Sequence, residues 1–262
     1  MTKDIEELVK KGGFNIKCWT TSRGCTSFNK EAAVINPTST TKEKVLGVLW
    51  DPVEDNLLFK VKLNFSSKRK GLRSEPDLKQ EEIPQRVPTH LTKRTVLSQI
   101  NGIYDPLGIA DPFTAKAKIM MRNLWVDSPK LDWDEPIPES CQSEWLKFFK
   151  DLFEMEHTTF KRCLKPPDVE GSPDLVIFSD ASNSAFGACA YARWNILGGS
   201  YASSLIMSKN RLAPVKKMSI DRIELCGAVL NKRLKEFIEK ESRLQFQRVY
   251  HIVDSQIVQA MI

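Results

Sequence analysis

The last third of the chain has an order of secondary structure that limits the folds open to it. Short apolar or alternating blocks at 174–181, 185–194, 200–208 and 248–254 predict four strands. One amphipathic segment, 219–240, stands before the last strand and has helical spacing. Strands joined by short connections, followed by a helix and one more strand, are typical of a sheet with a helix across it. We therefore expect a mixed α/β domain here.

Three acidic residues occupy related places in this pattern. Asp180 ends the first strand, Asp254 ends the last one, and Glu224 lies beside the apolar stripe of the helix. Carboxylates gathered at one place repel one another unless a cation lies between them, and Mg²⁺ prefers oxygen ligands. Two such ions can activate a water and stabilise the leaving oxygen in phosphodiester cleavage. The pattern therefore predicts a site for paired divalent metals.

Each acid also has a purely structural explanation. An Asp at the end of a strand is often a turn residue, and Asp254 before Ser255 fits the start of a helix. A Glu on an amphipathic helix usually faces solvent. The spacing alone leaves the structural and the catalytic interpretation open.

Charge and composition suggest a polyanionic partner and an intracellular protein. The net charge is +6, and basic residues near the helix could hold a nucleic-acid backbone. These residues are Lys209, Arg211, Lys216 and Lys217. The six cysteines form no C-x-x-C pair, which favours a reducing compartment. We find no signal peptide and no apolar run of the ~20 residues that a membrane span needs, so we expect a cytoplasmic protein without a membrane partner.

The rest of the chain divides into four further segments. Strand patterns at 14–19, 44–50 and 57–65 place a β-rich region within 1–65. Residues 66–91 are polar and proline-containing and predict a linker or long surface loop, and 92–164 predict helices. The stretch 165–173 contains three prolines and a glycine, so it predicts a second linker before the α/β domain.

Several short blocks of sequence resemble the polyproteins of BEL/Pao-type LTR retrotransposons, whose segment is also called the Pao retrotransposon peptidase family. The blocks are Leu97–Gly108, Ala117–Met120, Leu124–Trp125, Phe178–Ser182, Ala185–Ala188, Ser208–Pro214, Ser219–Cys226 and Val253–Ser255. The resemblance covers nearly the whole chain. It implies a fragment that spans the end of a reverse transcriptase and an RNase H-like domain.

This resemblance assigns a role to each segment. Residues 1–65 look like the end of the reverse-transcriptase palm with strands of the primer grip, and 92–164 look like its helical thumb and connection. Residues 174–262 look like an RNase H-like domain that is incomplete at its C-terminus. A fourth metal ligand, a final strand and a helix would then lie beyond Ile262. The polymerase motif Tyr-x-Asp-Asp is absent, so we do not expect the chain to polymerise DNA.

The resemblance also implies an activity. Asp180, Glu224 and Asp254 match the catalytic, metal-binding acids of the family, with Mg²⁺ or Mn²⁺ as cofactor. The expected reaction is hydrolysis of the RNA strand of an RNA–DNA hybrid during reverse transcription. The expected partners are that hybrid and the remainder of a pol polyprotein, in the cytoplasm or in a virus-like particle.

Two other functions compete with this one. A non-catalytic, transposon-derived remnant would bind nucleic acid weakly without cutting it. An aspartic peptidase would need Asp-Thr/Ser-Gly, whereas Asp180 and Asp254 are followed by Ala-Ser and Ser-Gln. Peptidase chemistry is therefore the third alternative.

Overall fold

The computed structural model describes residues 2–16, 43–45, 48–51, 53–69, 72–127 and 130–261. The helices are α1 (Thr2–Lys11), α2 (Ile83–Arg86), α3 (Lys93–Ile100), α4 (Asp111–Val126), α5 (Glu139–Leu152), α6 (Ile220–Glu241) and α7 (Gln256–Met261). The strands are β1 (Glu43–Val45), β2 (Val48–Asp51), β3 (Asn56–Leu58), β4 (Lys68–Arg69), β5 (Leu72–Arg73), β6 (Thr159–Lys161), β7 (Val169–Ala181), β8 (Ala185–Ile196), β9 (Ser200–Leu212) and β10 (Val249–Val253).

The chain forms two compact units: Met1–Leu58 with Thr159–Arg162, and Phe59–Thr158 with Cys163–Ile262. None of the helices in the described ranges is long and apolar enough to cross a lipid bilayer. The mixed α/β architecture expected from the sequence is confirmed.

The first unit contains an antiparallel sheet in the order β1-β2-β3-β6. Asp55, in the turn after β2, accepts hydrogen bonds from the Trp50 ring nitrogen at 2.9 Å and from Arg162. The expected strand at 57–65 ends at Leu58. In the expected strand at 14–19, residues 14–16 are not in a strand and 17–19 lie outside the described residues.

The helical part of the second unit packs around aromatic side chains. Trp145, Phe148 and Phe149 of α5 are almost completely buried, and the Trp145 and Phe148 rings meet edge to face at 5.5 Å. The stretch 66–91, expected as a linker or surface loop, is packed here because Ile83 and Leu91 are fully buried. The stretch is polar overall, but a few of its apolar side chains are buried in the core.

The second sheet of this unit has the order β10-β7-β8-β9. β10 runs parallel to β7, and the other neighbours are antiparallel. Alternate residues of the strands pack against α6 on one face. The buried residues of this core are Leu175, Ile177, Ala188, Ala190, Met207, Leu230, Leu234 and Ile238.

β7 begins at Val169, within the expected linker at 165–173. Its first residues pair with β8, and the register shifts between Glu170 and Asp174. Gly171 adopts φ +66° inside this irregularity, and Pro173 has no N–H to donate. The proline and glycine that suggested a linker therefore mark a bulge in a long strand.

Candidate metal centre

The sheet and the helix bring the three predicted acids together. Asp180 lies near the end of β7, and Asp254 directly follows β10, whose last residue pairs with Ser179 of β7. Because β7 and β10 are parallel, their carboxyl ends meet at the same edge of the sheet. Glu224 lies in the second turn of α6, which crosses the same sheet.

The close approach of α6 depends on small residues one turn after Glu224. A Cβ atom at Gly227 would stand 3.5 Å from the carbonyl oxygen of Asp180, so the helix backbone lies directly over the strand end. Ala228 is buried beside it. Larger side chains at these positions would hold Glu224 away from the two aspartates.

The three carboxylates form a compact oxygen-donor cluster. One oxygen from each of Asp180, Glu224 and Asp254 lies within 4.8 Å of the others. Asp180 and Asp254 are exposed, and Glu224 is partly buried. Partial burial raises the pKa of Glu224, and repulsion from Asp254 and Asp180 adds to this effect. A divalent cation between the acids would relieve this repulsion, and hard oxygen donors suit such an ion.

A polar network centred on the buried side chain of Asn231 lies behind the acids. The Asn231 side chain donates to the carbonyl oxygen of Ile177 at 3.2 Å and to the hydroxyl of Ser179 at 3.1 Å. Its oxygen is 2.6 Å from Nδ1 of His251, which must therefore carry the donated proton. Partial desolvation of the ring lowers the pKa of His251. The sequence analysis assigned no role to His251. The signal that it left unused is that Asn231 follows Glu224 by two helical turns, which places both residues on the same side of α6.

Helix α4 forms one wall of the groove that contains Asp180 and Asp254. This groove, of about 580 Å³, is also lined by Asp111 of α4 and by Phe178 and Ile252 of the sheet. Phe178 and Ile252 are 41% and 43% exposed, so the groove floor is apolar beside the acids. The groove thus combines carboxylates with an exposed apolar surface.

Direct hydrogen bonds attach the α4 region to strand β9. The amide of Ser208 donates to the carbonyl of Leu107 at 2.8 Å, and the Ser208 hydroxyl donates to the Asp111 carboxylate at 2.8 Å. Arg122 donates to the backbone oxygen of Ser184 at 2.9 Å. Sequence reasoning placed α4 in a separate segment and did not foresee this wall.

The four predicted basic residues occupy different places. All four are exposed. Lys209 lines the groove of the acids, whereas Arg211 lines a second groove beside α6. Lys216 and Lys217 lie in the connection from β9 to α6 and line neither groove.

Comparison with known proteins identifies the family of the chain. A family model described as the Pao retrotransposon-like RNaseH-like domain matches residues 92–255, more than half of the chain. The chain belongs to this family. The resemblance to Pao-type retrotransposons is thereby confirmed, and the match includes the α4 wall as well as the sheet. No curated protein is similar enough in sequence to be matched.

Comparison by structure matches the chain to two solved structures. One is a foamy viral protease-reverse transcriptase dRH in complex with double-stranded DNA, at 14% identity and a TM-score of 0.44. It matches 84% of this chain and 32% of its own. The other is a foamy viral protease-reverse transcriptase in complex with double-stranded DNA, at 13% identity and a TM-score of 0.35, with 70% and 34% covered. The chain thus spans about a third of the length of these structures.

Proposed function

We propose that this Pao-family domain hydrolyses the RNA strand of an RNA–DNA hybrid with Mg²⁺ as cofactor. The observation that carries the proposal is the convergence of Asp180, Glu224 and Asp254, with one oxygen of each within 4.8 Å of the others. The donor set consists of oxygen alone, which favours Mg²⁺, or Mn²⁺ in its place, over softer metals. Asp180, Glu224 and Asp254 would hold the ions.

The acids and Lys209 have different roles in the proposed reaction. When bound, paired divalent ions activate a water and stabilise the leaving oxygen of a phosphodiester. Asp180 and Asp254 stand at adjacent strand ends and supply negative charge from the sheet, and Glu224 supplies it from the helix. Lys209 lines the same groove and would contact the backbone of the strand near the acids.

The wider setting belongs to the same proposal. Arg211, Lys216 and Lys217, exposed on β9 and in the connection that follows it, add positive charge for the nucleic acid. The domain would act within a pol polyprotein during reverse transcription, in the cytoplasm or in a virus-like particle. Residues 1–65 would then supply palm-end strands, and 92–164 a thumb and connection.

A cleavage assay with a matched pair of variants tests the proposal. We expect Asp180→Asn to reduce Mg²⁺-dependent cleavage of an RNA–DNA hybrid by roughly 100-fold or more, comparable with removal of a group that stabilises transition-state charge. Asp168→Asn is the control, because Asp168 is an exposed loop residue with φ +57°, a conformation that Asn tolerates. It should cleave like the wild type.

Two outcomes would contradict the nuclease. Cleavage that survives Asp180→Asn in a folded protein would show that the three acids do not carry the reaction. Hybrid binding without cleavage by the wild-type chain would instead support the non-catalytic remnant. Circular dichroism of both variants separates a chemical defect from loss of fold.

A further inference from the structure

A second groove, of about 530 Å³, runs between helix α6 and strand β9. Three arginines line it, Arg211 from β9 and Arg222 and Arg233 from α6, and Leu225 and Val229 of α6 lie between them. These five residues are called the arginine groove below. Leu225 and Val229 are 38% and 44% exposed, so the floor of the groove is an uncovered apolar stripe.

The three guanidinium groups of this groove have no partner within the described part of the chain. No side-chain hydrogen bond or ion pair to another described residue involves the guanidinium groups of Arg211, Arg222 or Arg233. Other cations of α6 are paired, since Lys232 lies 3.8 Å from Glu236 and Lys240 lies 3.4 Å from Glu241. Carboxylates therefore neutralise part of the helix and leave the arginines free for an external anion.

Helical spacing places Arg222 and Arg233, the two arginines of α6, along a line. Arg222 and Arg233 are separated by three turns, about 16 Å at 1.5 Å per residue, with Leu225 and Val229 on the same side. This length is roughly five nucleotide steps of 3.4 Å. A guanidinium group presents planar N–H donors that match phosphate oxygens. The line thus suits a chain of regularly spaced anions that carries apolar faces.

The arginine groove continues towards the groove of the acids. Phe186 of β8 lines both grooves. A strand that crosses the acids can therefore pass over Phe186 to the arginines. This continuity favours nucleic acid over an acidic protein segment as the occupant.

We propose that the arginine groove binds the sugar–phosphate backbone of the nucleic acid that leads away from the three acids. The proposal rests on the nuclease function proposed above, because it assigns a second contact surface to the same substrate. Phosphates pair with Arg211, Arg222 and Arg233, and the apolar stripe supports sugars or bases between them.

Equilibrium binding to an RNA–DNA hybrid in EDTA tests the groove without any metal or cleavage. Each phosphate contact that is lost should reduce the slope of log K against log salt by about 0.7–0.9. We expect Arg222→Ala/Arg233→Ala to lower that slope by about 1.5 and to weaken binding at low salt at least ~10-fold. Arg222→Lys/Arg233→Lys should restore most of the slope, because the charge returns.

The matched control removes the same charge from paired positions of the same helix. Lys232→Ala/Lys240→Ala should bind almost as the wild type does, because both lysines are exposed and paired with glutamates. A salt slope of the arginine variant equal to that of this control would overturn the proposal. Absence of hybrid binding by the wild type would overturn it as well.

The remaining outcomes separate the groove from the nuclease. If the arginine variant binds the hybrid normally but no longer binds polyglutamate, the groove is a protein-docking surface and the proposal is wrong. If the wild type binds through the arginines but never cleaves with Mg²⁺, the groove stands and the nuclease fails. If cleavage persists and the arginines have no effect on binding, the nuclease stands and the groove fails.

Discussion

At the scale of single residues, the pKa of Glu224 connects the acid cluster with the stability of the fold. Partial burial is the largest cause that raises this pKa, and repulsion from Asp254 and Asp180 raises it further. A carboxyl group whose pKa is raised on folding contributes stability at pH below its unfolded value and loses it as the pH rises through the folded value. At neutral pH the ionised Glu224 therefore destabilises the metal-free protein, and Glu224→Gln should raise its melting temperature.

Thermal unfolding in EDTA at about pH 4 and about pH 7 measures this effect. The gain from Glu224→Gln should be present at the higher pH and vanish at the lower one, where Glu224 is itself protonated. Glu236→Gln is the control, since Glu236 forms only an exposed pair with Lys232. Mg²⁺ should stabilise the wild type more than Glu224→Gln. A lower melting temperature of Glu224→Gln at about pH 7 would contradict this electrostatic account.

At the scale of elements, Asn231 holds together the three pieces of structure that carry the acids. Its side chain joins α6 to Ile177 and Ser179 of β7 and to His251 of β10. Asn231→Ala would leave buried groups without partners, at a cost of about 1–3 kcal/mol. Because the acids depend on the same spacing, we expect cleavage to fall by roughly 10–100-fold at low Mg²⁺.

A Mg²⁺ titration distinguishes positioning from simple loss of fold. If Asn231 positions the acids, higher Mg²⁺ should recover much of the rate of Asn231→Ala, whereas an unfolded fraction would lower the rate at every concentration. The assay is run at a temperature well below the melting temperature of the variant. Asn195→Ala, at an exposed position of β8, should behave as the wild type. A rate deficit that is independent of Mg²⁺ would reduce Asn231 to a purely structural role.

The same elements show what the sequence could predict. The strands and the helix around the acids follow periods of 2 and 3.6 residues. Most of their predicted bounds therefore agree with the observed ones to within a few residues. β7 starts earlier than expected, because Pro173 and Gly171 are accommodated by a bulge. The Asn231 network was not predictable, since its partners lie 20–54 residues away and depend on tertiary packing.

At the scale of the whole molecule, the expected linker at 165–173 does not separate two independent domains. The helices before it and the sheet after it share one compact unit, Phe59–Thr158 with Cys163–Ile262. The seam between them lies where Gly108 meets Ser208. The hydroxyl oxygen of Ser208 lies 2.5 Å from the carbonyl oxygen of Gly108, and Gly108 adopts φ +75°. Sequence periodicity describes each side of this seam but not their contact.

Gly108→Ala should therefore loosen the attachment of α4 to the sheet. A Cβ atom at this position would overlap the carbonyl oxygen of Ser208, which is backbone and cannot rotate away. Overpacking of this kind costs about 1–3 kcal/mol, in addition to the strain of a positive φ. Chemical denaturation measures the loss, and hydrogen exchange of the Ser208 amide, which donates to Leu107, reports the seam itself.

Gly171→Ala separates the clash from the backbone strain. Gly171 has a similar φ of +66°, yet a Cβ atom there would meet nothing within 4 Å. Its substitution therefore carries the strain alone and should leave exchange at Ser208 unchanged. If the seam is part of the catalytic groove, Gly108→Ala should also weaken hybrid cleavage, because Asp111 of α4 lines the groove beside Asp180. Equal losses of stability in the two variants, with equal exchange at Ser208, would show that the helices and the sheet unfold independently of this contact.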